Sequence, residues 1–273
     1  MVWYFVAPCT VLDVVRRLML CAAPSGAGKT TTISMLTGLI SATSGDATMY
    51  GKSIRDSMLD LRQSMGVCPQ HNVLWDELTV EEHLVYFAGI KGVDADKVAN
   101  EVNAIIREVG LVEKANAPSG ALSGGQKRKL SVAIALIGDP KIVFLDEPTS
   151  GMDPFSRRST WNLLKVRTAH SIRCCVSLVS CALYLTTAAV CARQSKAKGR
   201  ITVLTTHFMD EADLLGDRIG IMSDGALRCL GSPMFLKHRC TRLVWAVGFT
   251  CCNDRHLCAW LCCQMVWATA LRL

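Results

Sequence analysis

The stretch APSGAGKTT at residues 23–31 restricts the fold more than any other part of the chain. Gly26 and Gly28 followed by Lys29, Thr30 and Thr31 supply what a loop needs to wrap phosphate. Backbone N–H groups turn toward the anion, an ammonium reaches the outer phosphates, a hydroxyl faces magnesium, and the positive end of a helix stands behind them. Such a loop requires a strand before it and a helix after it. LMLCAA (18–23) reads as the strand, and TTISMLTGL as the helix, with Ile33, Leu36 and Leu39 at helical spacing. The motif G-x-x-x-x-G-K-[ST] begins with glycine, and Ala23 stands there instead. If that position takes positive φ, the methyl group costs on the order of 1 kcal/mol, which weakens a site without removing its donors. Pro24 removes one N–H early in the loop. Taken alone, the stretch also fits a glycine-rich turn with no ligand.

Three more stretches stand at distances that make a ligand the better reading. KIVFLDEP (141–148) is an apolar run ending in Asp146 and Glu147, as expected of a buried parallel strand with carboxylates at its C-terminal end. Asp146 then suits a magnesium shell and Glu147 the orientation or deprotonation of an attacking water. ITVLTTH (201–207) is a second β-rich run, ending in His207, a candidate donor to a γ-phosphate. ALSGGQKRKLSVAIALIG (121–138) opens with Ser123, Gly124, Gly125 and Gln126 and continues as a helix, so it presents a second helix N-terminus to an anion.

Together these words resemble the nucleotide-binding domain of an ABC transporter. PSGAGKTT is similar to the family's Walker A, CPQH to its Q-loop, LSGGQ to its signature, IVFLDE to its Walker B, SGMD to its D-loop and TTH to its switch histidine. GVCPQHNVLWDELTVEEHL, LDEPTSGMDP and LTTHFMDEADLLGDRIGIM resemble subfamily A, the lipid-exporter group. The resemblance covers about residues 25–165 and 197–238.

It implies an α/β fold: a RecA-like P-loop NTPase core with an inserted helical subdomain at about 73–122, and an N-terminal β-subdomain that is incomplete in this chain. It also implies ATP and Mg2+ as ligands. Ser25 through Thr31 would hold nucleotide, with Lys29 on the β- and γ-phosphates. Thr30, Gln70 and Asp146 would serve the metal, and Glu147, His207 and Gln70 the reaction. Ser123, Gly124, Gly125 and Gln126, with Asp153, would face the nucleotide of a second such domain in a head-to-tail dimer. Transmembrane domains, not in this chain, would be the other partner, which places the cassette at the cytoplasmic face of a membrane. No nucleic acid is expected. A soluble ABC ATPase acting on nucleic acid or ribosomes, and a truncated non-catalytic cassette, are the alternatives.

Local signals agree with the helical insertion. Thr79 with Glu82 is a capping box. Val98, Val102, Ile105, Ile106 and Val109 share one face of a helix over 94–109, and Gly110 stops it.

Three regions depart from the pattern: residues 1–22, about 166–195, and 239–273. They hold twelve of the 14 cysteines and few acids, and show neither disulfide framework nor zinc spacing. CCVSLVSCALYLTTAAVCA (174–192) has the length and polarity of a membrane span. A single span there would put Glu147 and His207 on opposite sides of a bilayer, although both must meet one ATP. The favoured reading is a fragment of a larger transporter in which these regions come from a mispredicted or intron-retaining gene model, the tail being poorly ordered; genuine insertions are the alternative. The net charge of +7 fits an anionic ligand, but on charge alone solvated surface lysines and arginines are the better reading.

Overall fold

The computed structural model describes residues 17–22, 26–168, 200–223 and 225–238. Most of the first departing region, nearly all of the second and the whole third, with the apolar run 174–192, lie outside the described residues, as do Ala23, Pro24 and Ser25.

In chain order the elements are β1 (Arg17–Ala22), α1 (Lys29–Leu36), the short strands β2 (Thr48–Met49) and β3 (Lys52–Ser53), α2 (Met58–Gln63) and β4 (Met65–Cys68). Next come α3 (Val80–Ile90), α4 (Ala95–Val109), 3-10 turns at Val112–Lys114 and Ser119–Ala121, α5 (Gly124–Leu136) and β5 (Ile142–Asp146). The described chain continues with α6 (Pro154–Thr168), β6 (Ile201–Thr206), α7 (Met209–Leu215), β7 (Arg218–Ser223), β8 (Ala226–Gly231) and a final helix α8 over residues 233–238.

Six strands form one sheet in the order β4-β5-β6-β1-β7-β8. β1 pairs in parallel with β7, from Leu18 opposite Arg218 to Ala22 opposite Met222. β8 returns antiparallel to β7 with a bulge between Ile221 and Met222. Every residue of β5 and of β6 is buried. A strand covered on both faces shows no polar alternation, which is why IVFLD and ITVLTT are nearly uniform runs. Sequence order and spatial order differ across this sheet, and the crevice beside the C-terminal ends of its central strands is where such sheets bind ligands.

The described residues fall into two compact units, one within Met1–Arg62, Leu145–Pro148 and Val203–Leu273, the other within Gln63–Phe144 and Thr149–Thr202. In the first, α1 follows the β1 loop and ends earlier than its sequence suggests. The helix stops at Leu36, Gly38 adopts φ +72°, and Leu39 is 70 % exposed. The helical spacing of Leu39 is therefore accidental. A β-carbon on Gly38 would come within 2.9 Å of the Met58 side chain, so the turn also fits tightly against α2.

In the second unit α3, α4 and α5 enclose a core of Val80, Leu84, Val102, Ile105, Ile106 and Leu130, among others. Val102, Ile105, Ile106 and Val109 are buried on one face of α4, as their spacing predicts, and Gly110 ends the helix in the left-handed region at φ 70°. Thr79 caps α3 by accepting from the Glu82 N–H, and the Glu82 carboxylate accepts from the Thr79 N–H in return. The two bonds satisfy two of the donors that a helix start leaves without intrahelical partners.

Candidate functional site

The loop between β1 and α1 turns on two glycines. Gly26 has φ +90° and Gly28 φ +94°, a region that costs a side-chain-bearing residue on the order of 1 kcal/mol. A β-carbon on Gly26 would meet nothing within 4 Å, so its requirement for glycine is one of backbone conformation rather than of space. Gly28 is the N-cap of α1, and no side chain caps that helix. No acid lies in its first turn, so its N–H dipoles are not already answered by a carboxylate of the helix itself. Ala27 is buried, and its carbonyl accepts from the Gly225 N–H at 3.1 Å, which ties the loop to the β7–β8 turn. Thr32 donates its hydroxyl to the Gly28 carbonyl at 2.9 Å. Thr30 is exposed and Thr31 half-buried.

Lys29 is the first residue of α1 and only 8 % exposed. Its Nζ lies 3.3 Å from Glu147 Oε1. The other oxygen of the same carboxylate, Oε2, lies 3.4 Å from His207 Nδ1. One carboxylate thus stands between an ammonium and an imidazole. Its backbone is held with equal care. The Glu147 N–H donates to both the carbonyl and the hydroxyl of Thr205, at 3.2 and 3.0 Å. Glu147 itself sits at φ 47°, left-handed for a residue with a full side chain. Strain of that kind costs roughly 1–3 kcal/mol and persists where surrounding bonds over-determine it. The Thr205 hydroxyl also donates to Asp146 Oδ1 at 2.5 Å, and the Asp146 side chain is 2 % exposed. His207 is 42 % exposed, with its ring 4.0 Å from that of Phe208.

The first unit therefore brings Lys29, Asp146, Glu147 and His207 together. The second brings together the other set. Ser123 caps α5 by accepting from the Gln126 N–H, and the Gln126 side chain accepts from the Ser123 N–H. Both side chains are engaged in this reciprocal cap, which the sequence reading did not identify although Ser-x-x-Gln is its signature. A β-carbon on Gly125 would lie 3.9 Å from Ser156 Oγ and 4.0 Å from Asp153 Oδ1, so this glycine faces Asp153 across an ordinary contact distance. Asp153 accepts from the Ser156 N–H at 2.9 Å at the start of α6, and that bond holds its carboxyl below the usual range. Gln70 stands two residues beyond β4, exposed. Ser25 lies outside the described residues.

Thr205 was missed by sequence reasoning as a residue in its own right. Its position two before His207 is the available signal, and that signal does not reveal a hydroxyl bonded both to the Asp146 carboxylate and to the Glu147 N–H.

A family model described as "ABC transporter" matches residues 19–150. "ABC transporter A family member 2" of Arabidopsis thaliana is 46 % identical over 231 residues, which cover 84 % of this chain and 20 % of the relative. "Phospholipid-transporting ATPase ABCA3" of Homo sapiens is 48 % identical over 215 residues, covering 79 % of this chain and 11 % of the relative. The chain thus spans a small part of the length of the relatives it matches. Among solved structures, an ATP-binding subunit of an ABC transporter superposes with a TM-score of 0.64 at 23 % identity, over 82 % of this chain and 81 % of that one. A dimeric ATP-binding cassette bound to ADP and phosphate superposes with a TM-score of 0.63 at 21 % identity, over 80 % and 85 % of the two chains. These two show the same RecA-like fold. With the phosphate loop, the acids Asp146 and Glu147 at the end of β5 and the histidine after β6 in that fold, most of this chain belongs to the ABC transporter nucleotide-binding domains of subfamily A.

Proposed function

We propose that this cassette hydrolyses ATP at the loop Gly26–Thr31 with Glu147 as general base, and that it does so as part of a lipid-moving membrane assembly. The observation that carries the reading is the placement of Glu147 between Lys29 and His207, at 3.3 and 3.4 Å.

The N–H groups of the loop and the start of α1 would hold the phosphates, with Lys29 on the outer ones. When phosphate draws Lys29 away, Glu147 loses its ion-pair partner and becomes free to accept a proton from water. His207, already beside that carboxylate, would donate to the γ-phosphate and steady it. The rigid N–H bonds from Glu147 to Thr205 keep the base from swinging while its side chain changes partner.

Mg2+ fits the oxygen donors present. Thr30 offers a hydroxyl, and Asp146 a carboxylate held by Thr205. Magnesium is usually bound by one or two protein oxygens together with substrate phosphates, so two hard donors beside a phosphate loop suffice. Thr30, Asp146 and, by family resemblance, Gln70 would hold it; when bound, it neutralises phosphate charge.

Ser123, Gly124 and Gly125, with Asp153 beside Gly125, are proposed to face the nucleotide of a second cassette in a head-to-tail dimer. The dimeric state of a superposable cassette supports this. Membrane-spanning partners, association with the cytoplasmic face and a lipid substrate are supported by relatives named as phospholipid-transporting ATPases. Among the described residues no helix is long and apolar enough to cross a membrane.

The test is phosphate release from Mg-ATP by the purified full chain, alongside Glu147→Gln. Turnover that the variant loses, with a Mg-ATP-dependent rise in melting temperature retained by both, supports the reading. A melting temperature unmoved by millimolar Mg-ATP would instead identify a non-catalytic cassette.

A further inference from the structure

The two neighbours of His207 are bonded to each other, and a buried acid bonds one of them. Phe208 is the N-cap of α7, and its side chain makes no capping bond. Its N–H donates to the hydroxyl oxygen of Thr206, two residues earlier, at 3.0 Å. That hydroxyl in turn donates to Oε2 of Glu211 at 2.5 Å. Glu211 is the third residue of α7. In an ordinary capping box a carboxylate at this position reaches back to the N-cap N–H directly. Here it reaches that N–H through one intervening hydroxyl, and His207 is the residue the relay encircles.

Glu211 is 0 % exposed and Thr206 1 % exposed, so water does not compete for their bond. A substitution that removes the carboxylate leaves a buried hydroxyl proton without this acceptor, which costs more than the bond itself contributes. Successive side chains of a strand point to opposite faces. Thr205, one residue earlier, donates to Asp146 and accepts from the Glu147 N–H. The end of β6 is therefore held on both faces, each time by a hydroxyl bonded to a carboxylate and to a backbone N–H. His207 is the first residue beyond that hold. The imidazole is half-buried, and its ring lies against that of Phe208, whose backbone the relay also fixes. Its aim toward Glu147 depends on the turn that carries it.

We infer that Glu211, acting through Thr206, is a positioning residue for His207 and sets the turn that points the imidazole at Glu147 and at the γ-phosphate. This rests on the role proposed above for His207. A merely structural role, pinning α7 to β6, predicts lower stability and an effect on turnover that does not pass through His207.

Two measurements on the full chain separate these roles. The first is the NMR signals of the His207 ring without nucleotide, assigned by their loss in His207→Ala. In the unaltered protein they are expected to shift when Glu147→Gln is introduced. The shift is retained in Glu211→Gln, whose amide oxygen still accepts from Thr206, and lost in Glu211→Ala. Thr206→Val removes the hydroxyl with little change of shape and is expected to lose it as well. The second is single-turnover phosphate release at saturating Mg-ATP. Glu211→Ala should lower the rate about 10- to 100-fold, with half-saturation by Mg-ATP unchanged, and Glu211→Gln should restore most of it. In a His207→Ala background Glu211→Ala should cost nothing further. A ring response that survives in Glu211→Ala or Thr206→Val overturns the inference, as does its absence from the unaltered protein or a rate loss that simply adds to that of His207→Ala. If the unaltered protein releases no phosphate, the hydrolysis reading falls, and the ring response still decides whether Glu211 positions His207.

Discussion

The two units of this cassette put their key polar groups to different uses. In the first, charged and polar side chains are turned toward one another: Lys29 and His207 both face Glu147, and Thr205 bonds Asp146. In the second, ion pairs such as Lys127 with Asp76 occur as well, but the groups that set the helix ends are turned toward the backbone. Thr79 and Glu82 cap α3, Ser123 and Gln126 cap α5, and the Lys91 ammonium donates to the carbonyls of Ile134, Ala135 and Ile137 at the C-terminal end of α5. The difference separates chemistry from placement. Side chains paired with each other can exchange partners when a ligand arrives, whereas side chains satisfied by helix ends hold those ends where they are.

The sharpest way to break this comparison is Glu147→Gln. The amide keeps the shape and cannot accept the proton, so turnover should fall by about 10²–10⁴-fold with nucleotide binding retained; single-turnover phosphate release measures it, and unchanged turnover would remove Glu147 from the chemistry. Lys29→Ala should come next in size. It removes a charge-assisted contact to phosphate, and the Mg-ATP-induced rise in melting temperature should shrink or vanish in a thermal scan.

Gly125→Ala tests the second unit on its own terms. The added β-carbon meets only ordinary contacts, and alanine favours a helix over glycine by about 1 kcal/mol. Stability should therefore hold or rise while turnover falls, because the methyl covers the face proposed for a partner's phosphate. Unchanged turnover would make that face structural. Thr79→Ala should cost about 1 kcal/mol of stability through the lost cap and leave Mg-ATP binding unmoved.

A pH-dependent effect concerns Lys91, whose ammonium burial pushes down to about 8, against an ordinary value near 10.5. As pH rises from about 8, the folded state gives up this proton before the unfolded state does. The contribution of Lys91 to stability therefore rises through the window up to about 10.5. Denaturant titrations at pH 8 and pH 10 should show the unaltered protein gaining on Lys91→Met, and a constant difference would show that burial does not depress this group.

Legibility in the sequence followed the range of the interaction. The capping box at Thr79, the buried face of α4 and its stop at Gly110 were readable because each is settled within one or two turns of chain. α1 was read too long. Leu39 keeps helical spacing, yet Gly38 turns the chain left-handed against Met58, and spacing carries no record of that contact. The candidate site shows the same division. Lys29, Asp146, Glu147 and His207 were each identifiable from the words they stand in, but the pair of hydrogen bonds that the Glu147 N–H donates to Thr205 joins residues 58 positions apart. The bonds from Arg128 on α5 to the Pro69 carbonyl and to Asn72 were equally invisible. KRK after a glycine pair reads as a solvated basic face, and only packing shows that its middle residue is buried.

The sequence by itself determined the kind of molecule: a phosphate loop, carboxylates closing one buried strand, a histidine closing another and a glycine-led helix, in an order that specifies the family. It could do so because each word encodes local backbone conformation and side-chain type. Only the tertiary structure decided how those groups meet. β5 and β6 lie side by side, with β1 next to β6, and this arrangement sets one carboxylate between a lysine and a histidine and twists Glu147 into a conformation it would not choose alone. Those outcomes depend on distances between segments far apart in the chain, which are settled by burial of the strands and helices that carry them.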